Sequence, residues 1–311
     1  MNFDGVLYFP ITAFRADGTV DPELTAEHIR SRLDYSPGGV FAACGTGEFH
    51  ALSATEVGQV VSAAVDVVGG RMPVIAGAGG PLGHAIECAR NAANVGADGL
   101  LVLPPYLVSS TIAGTIAYVE AIAQATDLPV IVYHRGTARL TPDAAAHLAR
   151  NPKVVGFKDG LGDVGLAQEI VRAVAATGRD DIQFFNGLLT AELSQAAYRG
   201  IGIPLYSSAA FAMAPKIAKA YYAAYMANDE AARLRILDAF YLPLVALRDQ
   251  TPGFAVSLVK AGVRLGGLPV GNVRPPLTDP NSQQLDELRR ILEIGDGLVA
   301  ELVAEPAAET A

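Results

Sequence analysis

Two cysteines in 311 residues are too few for a disulfide framework, and neither Cys44 nor Cys88 sits in a CxxC pair. The composition suits a reducing compartment, and a cytoplasmic location is the expectation. Basic residues are scarce as well: 23 Lys and Arg stand against 32 Asp and Glu, a net charge of −9 that favours solubility and offers no basic footprint for nucleic acid. Long apolar runs are missing, because Gly, Pro or a charge interrupts every one of them before 18 residues, so no membrane span is expected. Residues 1–4 carry no basic region leading into an apolar stretch, which speaks against an export signal. The five histidines, His28, His50, His84, His134 and His147, lack metal-ligand spacing, and neither a metal nor an organic cofactor is expected.

Lysine is equally rare, with five in the chain, and one of them ends the apolar run Val154-Val155-Gly156-Phe157-Lys158. A strand-end lysine can simply snorkel to solvent. A desolvated one has a lowered pKa, which leaves a neutral amine able to attack a carbonyl and form a Schiff base. Lys158 alone leaves both readings open.

What the chain does have is apolar content, 51% of its residues, enough to bury the core of one large domain or two ordinary ones. Strand-like runs alternate with helix-length amphipathic segments eight times. The runs are 5–12, 39–45, 73–77, 99–104, 129–134, 154–158, 183–187 and 202–207, and their near-continuous hydrophobicity suits strands covered on both faces. Helix candidates between them include 21–33, 53–68, 83–95, 111–126, 141–150, 164–177 and 190–199. Ser53 with Glu56 reads as a capping box, and Pro22 and Pro142 stand at first helical positions after Asp21 and Thr141. Eight such units in residues 1–225 predict an α/β fold, a (β/α)₈ TIM barrel, since open doubly wound sheets use about five to seven strands. Residues 226–302 predict three additional C-terminal helices, 229–249, 253–265 and 282–302. The apolar faces there, seen in Ile236, Phe240, Leu244 and Leu247, must be buried on the barrel or on another subunit. Residues 303–311 lack periodicity, and a disordered tail is expected.

Barrel chemistry collects at the C-terminal ends of the strands. Those ends offer Gly45-Thr46-Gly47-Glu48, Tyr106, Tyr133-His134-Arg135, Lys158-Asp159, Asn186 and Ser207-Ser208. Strand alternation sorts them: if Lys158 points into the barrel, so do Gly156 and Val154, while Val155, Phe157 and Asp159 face the helices. Tyr133 with Ile131 forms the matching inward set one strand away, so a phenol and an amine can meet in the mouth. His134 then faces away and suits a structural hydrogen bond. Asp159 reads as a loop anchor and Asp163 as a helix cap. Arg135 is open to two readings, a planar clamp on a distal substrate carboxylate or a surface ion pair. Asn186, Ser207 and Ser208 are candidates to hold substrate oxygens.

The motif Gly45-Thr46-Gly47-Glu48, Tyr133 and the stretch Val155-Gly156-Phe157-Lys158-Asp159 resemble the dihydrodipicolinate synthase and N-acetylneuraminate lyase superfamily over nearly the whole chain. The resemblance implies that Lys158 forms the Schiff base with a 2-keto acid and that Tyr133 shuttles protons. It further implies that Gly45, Thr46 and Gly47 bind the keto acid's carboxylate through amides and a hydroxyl, and that the enzyme is a homotetramer built from dimers. Within the superfamily, Cys44 to Phe49, Gly156 to Gly160 and Phe185-Asn186-Gly187 look most like its decarboxylating dehydratases of keto-sugar acids.

The departures agree with that branch. The synthases have two hydroxyl residues in the first loop, where this chain has Gly45 and then a single Thr46. They have a second aromatic after the strand-four tyrosine, where this chain has Leu107, and an arginine-bearing loop that His134-Arg135-Gly136-Thr137 replaces. Aldol cleavage needs a base at the C4 hydroxyl, whereas dehydration needs only an acidified C3 proton and a leaving hydroxyl. Two alternatives stay open: an aldolase or synthase of the same superfamily, and a non-catalytic keto-acid-binding protein, which would need neither Lys158 nor Tyr133.

Overall fold

The eight apolar runs pair in sequence order as parallel strands and close on themselves. They are β1 (Leu7–Tyr8), β2 (Gly39–Ala42), β3 (Val74–Ala78), β4 (Gly99–Val102), β5 (Val130–His134), β6 (Val154–Asp159), β7 (Gln183–Asn186) and β8 (Leu205–Ser208), with β8 bonded back to β1. This computed structural model describes residues 1 and 3–304. The strand expected at 5–12 shrinks to two residues, because Pro10 has no ladder donor and Phe14 instead gives its N–H to Val270 in the C-terminal region at 3.0 Å.

Helices α1 (Pro22–Leu33), α2 (Ala54–Val68), α3 (Leu82–Asn94), α4 (Ile112–Gln124), α5 (Pro142–Ala149), α6 (Val164–Ala175) and α7 (Gln195–Gly200) cover the barrel after β1 to β7. Their starts obey the sequence. Asp21, Thr111, Thr141 and Asp163 each accept a backbone N–H of the first turn, and Ser53 and Glu56 form the full reciprocal box. After β8 come a single turn, α8 (Ala210–Met213), and the last barrel helix, α9 (Pro215–Ala227).

The segment 229–249 is one continuous rod made of α10 (Glu230–Ile236), a π turn over Leu237–Tyr241 and α11 (Leu242–Arg248). Pro243 lacks the N–H that would bond the carbonyl of Ala239, and the wider π turn absorbs that break. Ile236, Phe240, Leu244 and Leu247 are buried within the chain, where α9 and α13 (Ser282–Ala304) close over this rod. Those faces therefore supply no motive for association with another subunit. Gly295 makes the contact possible, since a Cβ there would lie 2.4 Å from Ile217 and 2.9 Å from Phe240. The last helix continues to Ala304, so Val303 and Ala304 are helical against expectation, and the rest of the tail lies outside the described residues. Between them, α12 (Phe254–Leu265) crosses the barrel mouth. Among the described residues no helix is long and apolar enough to cross a membrane.

Candidate active site

Lys158 sits in β6 directly opposite Tyr133 of β5. The register between these strands jumps from Val130↔Val154 to Ile131↔Gly156, so Val155 is an extra residue. Paired residues share a face, and Val154 therefore follows Val130 to the helix side. Only Gly156 and Lys158 keep the inward placement that strict alternation gave to all three. Beyond the bulge the alternation holds: Phe157, Asp159 and His134 line a small void under α6, and Tyr198 donates to the Asp159 carboxylate. His134 accepts the Leu140 N–H at 3.4 Å, and Asp159 accepts the N–H groups of Leu161 and Gly162.

Lys158 is 5% exposed, and its amine lies 4.2 Å from the Phe9 ring centroid and 4.3 Å from that of Tyr133. Burial holds its pKa below the ordinary lysine value; the neighbouring Tyr133 and Cys44 work against this, and Arg135 adds to it. No carboxylate among the described residues is paired with it. Cys44, also fully buried, is no rival nucleophile, because burial pushes its thiol up to about 12.

Two glycines make the room. A Cβ on Gly187 would lie 2.5 Å from the Lys158 side chain, and one on Gly160 would lie 2.7 Å from the Tyr133 ring. Sequence reasoning places both only within the motifs that carry the resemblance and gives neither a role of its own. The Tyr133 hydroxyl donates to the Gly187 carbonyl at 2.7 Å and accepts from Arg135 Nη1 at 2.9 Å. The phenol thus stands in a chain of hydrogen bonds beside the amine.

These groups open on a cavity of about 690 Å³. Gly45, Thr46, Tyr133, Arg135, Lys158 and Ser207 line it. Gly47 does not: its carbonyl accepts from Thr12 Oγ1 at 2.7 Å, which holds the turn from below. Asn186 and Ser208 do not line it either. Asn186 pairs with Tyr206 and follows Asp159 to the helix side, where its amide nitrogen serves Ala191, Ser194 and Gln195. Ser208 pairs with Tyr8 and donates to the buried Glu192 at 2.5 Å. Their expected contact with substrate is corrected by strand parity: Ser207 is the inward residue of that set. The roof comes from the C-terminal region, through Leu244, Arg248, Phe254, Val256 and Leu258. No strand-end rule reaches residues so far along the chain.

A model of the Dihydrodipicolinate synthetase family matches residues 2–294. A probable 5-dehydro-4-deoxyglucarate dehydratase 1 of Streptomyces avermitilis is 50% identical over 297 residues, which cover 96% of this chain and 95% of the relative. A probable 5-dehydro-4-deoxyglucarate dehydratase of Streptomyces griseus subsp. griseus is 51% identical over 302 residues, 96% of this chain and 94% of that one. Among solved structures, the dihydrodipicolinate synthase from Oceanobacillus iheyensis superposes with a TM-score of 0.86 at 26% identity, covering 95% of this chain and 97% of that one.

Proposed function

The chain belongs to the dihydrodipicolinate synthetase family, and we propose that within it the protein is a lyase, a decarboxylating 5-dehydro-4-deoxyglucarate dehydratase working through a Schiff base at Lys158. The observation that carries this reading is a buried lysine with no acidic partner among the described residues, held against a hydrogen-bonded tyrosine in a cavity that Gly45 and Thr46 also line.

Counting from the keto-acid carboxylate as C1, Lys158 attacks C2, and loss of water gives an iminium. Its positive nitrogen acidifies the C3 proton, whose removal forms an enamine. The enamine electrons expel the C4 hydroxyl as water, and this leaves a C3–C4 double bond conjugated to the iminium. The C5–C6 bond then breaks, C6 departs as carbon dioxide, and its electron pair runs through C4 and C3 to the nitrogen. Protonation and hydrolysis free Lys158 and release 2,5-dioxopentanoate. The iminium is itself the electron sink.

Tyr133 is the proton shuttle, and a positioned acid or base of this kind is worth about 10²–10⁴-fold. The amides of Gly45 and Thr46, with the Thr46 hydroxyl, receive the C1 carboxylate, and Gly47 fixes their turn. Arg135 has one nitrogen on Tyr133, and its remaining N–H groups serve the distal carboxylate. Ser207 takes a substrate oxygen.

Assembly as a homotetramer of paired dimers and a cytoplasmic location complete the proposal. Support for association comes from the run after β4, where Tyr106, Leu107 and Val108 are 64%, 80% and 59% exposed. Light scattering at micromolar concentration tests it, and a monomer of about 32 kDa overturns it. The reaction is tested by incubation with 5-dehydro-4-deoxyglucarate and assay of carbon dioxide and the semialdehyde product. Pyruvate as the main product, detected with lactate dehydrogenase, replaces dehydration by aldol cleavage.

A further inference from the structure

We propose that the buried ion pair between Lys260 of α12 and Glu48 is a positioning device that bolts the substrate-carboxylate loop to the roof of the active site. This rests on the assignment of Gly45 and Thr46 to the C1 carboxylate. Lys260 Nζ donates to Glu48 Oε1 at 2.7 Å, both side chains are fully buried, and the amine lies 3.8 Å from the Phe14 ring centroid. The other carboxylate oxygen accepts the Arg274 N–H at 2.8 Å. Neither Glu48 nor Lys260 lines the cavity.

Three observations tie the pair to the loop rather than to general stability. Glu48 follows Gly45-Thr46-Gly47 directly and holds a left-handed backbone, φ +59°, a conformation that a non-glycine residue adopts at a cost. Its N–H bonds back to the Gly45 carbonyl at 3.1 Å, so a displacement of its side chain is passed to the turn. The helix that carries Lys260 also presents Phe254, Leu258 and Val259 to the cavity, so the pair connects the loop that receives C1 to the roof that covers the substrate. A buried ion pair is a poor device for stability, because an apolar pair of equal volume does as well. What it supplies is direction, with each carboxylate oxygen fixed by a different segment of the C-terminal region. A loop with glycine at two of its four positions has little stiffness of its own.

The test compares two carbonyl compounds that reach the same amine. Pyruvate needs the carboxylate loop and acetone does not, and cyanoborohydride traps either imine on Lys158. In Lys260→Met the pyruvate concentration for half-maximal trapping should rise by about tenfold or more, as expected for a misplaced binding group, while acetone trapping is unchanged. A parallel loss with both compounds, or no change with either, overturns the proposal. If Lys260→Met does not fold, the Glu48→Gln/Lys260→Met protein, which leaves no buried charge unpaired, is read the same way. It keeps the hydrogen bond from Arg274 and lacks the one from α12, so selective loss with pyruvate supports the positioning role and wild-type trapping overturns it. Failure of wild-type protein to be trapped at Lys158 by either carbonyl sinks the Schiff-base reading itself, a result distinct from any ratio between variants.

Discussion

Lys158 and Lys260 are both buried, at 5% and 0% exposure, and both hold the amine about 4 Å from an aromatic ring, at 4.2 Å from Phe9 and 3.8 Å from Phe14. Burial depresses the pKa of each, that of Lys260 to about 8. They differ in their partners. Lys260 meets Glu48 at 2.7 Å, and the charge that burial disfavours is returned by the acid; Lys158 meets a phenol, a thiol and Arg135, and no acid among the described residues. On the proposed reading, the amine with a carboxylate is the strut and the amine without one is the nucleophile. Burial alone does not separate them.

The sharpest way to break that contrast is to remove each amine while keeping the methylene stem. Lys158→Met should lower turnover by at least about 10⁴-fold, since the proposed imine forms on this amine. The same variant should be more stable than wild type at pH 7, because the cost of burying an amine without an acidic partner is lost, whether that cost is met by desolvating the charge or by giving up the proton. The sign follows from linkage. Between its depressed folded value and the ordinary value near 10.5, Lys158 is protonated only in the unfolded chain, so wild-type stability rises with pH through that window. The rise should be absent from Lys158→Met. Urea unfolding of both proteins across that range decides it, and equal slopes would mean that Lys158 is ordinarily solvated.

Beside the nucleophile, Tyr133→Phe removes only a hydroxyl. Turnover should fall by about 10²–10⁴-fold with KM little changed, because the group acts on protons in the transition state. Steady-state kinetics on folded protein measure both, and wild-type kcat would dismiss the phenol from proton transfer.

For the strut, the expected loss is one of stability. Lys260→Met leaves the Glu48 carboxylate buried with only the Arg274 N–H, and removing one partner of a buried pair costs about 3–5 kcal/mol. The Glu48→Gln/Lys260→Met protein should recover most of it. Denaturant midpoints at pH 7 measure both, and a Lys260→Met protein as stable as the double variant would mean that the Glu48 side chain draws no support from the amine.

The two lysines were unequally legible. Lys158 stood out because an apolar strand placed it, and the register with Tyr133 followed from counting inward residues at a period of two. Lys260 lies in an amphipathic helix 212 residues from Glu48, and nothing local in the chain marks that partnership. The barrel itself was readable because each βα unit is a local pattern. The roof was not, since α12 reaches the cavity through tertiary packing. Val154 was misplaced by a bulge that periodicity does not announce. Asn186 and Ser208 were misplaced because polarity at a strand end was read without carrying the Lys158 parity across β7 and β8.

That parity gives the finest test of the comparison between inward and outward residues. Ser207 lines the cavity and its hydroxyl donates to the Asn186 carbonyl at 3.3 Å, whereas Asn186 turns its amide onto Ala191, Ser194 and Gln195 behind the barrel. Ser207→Ala should raise KM by roughly threefold to tenfold, the worth of one hydrogen bond of about 0.5–1.5 kcal/mol, with the unfolding midpoint barely moved. Asn186→Ala should do the reverse. It leaves buried acceptors unpaired, at about 1–3 kcal/mol of stability, while KM stays near wild type because the amide does not reach substrate. A KM increase in Asn186→Ala equal to that of Ser207→Ala would show that the amide acts on the cavity through the backbone of Gly187, and inward and outward would no longer divide substrate contact from support.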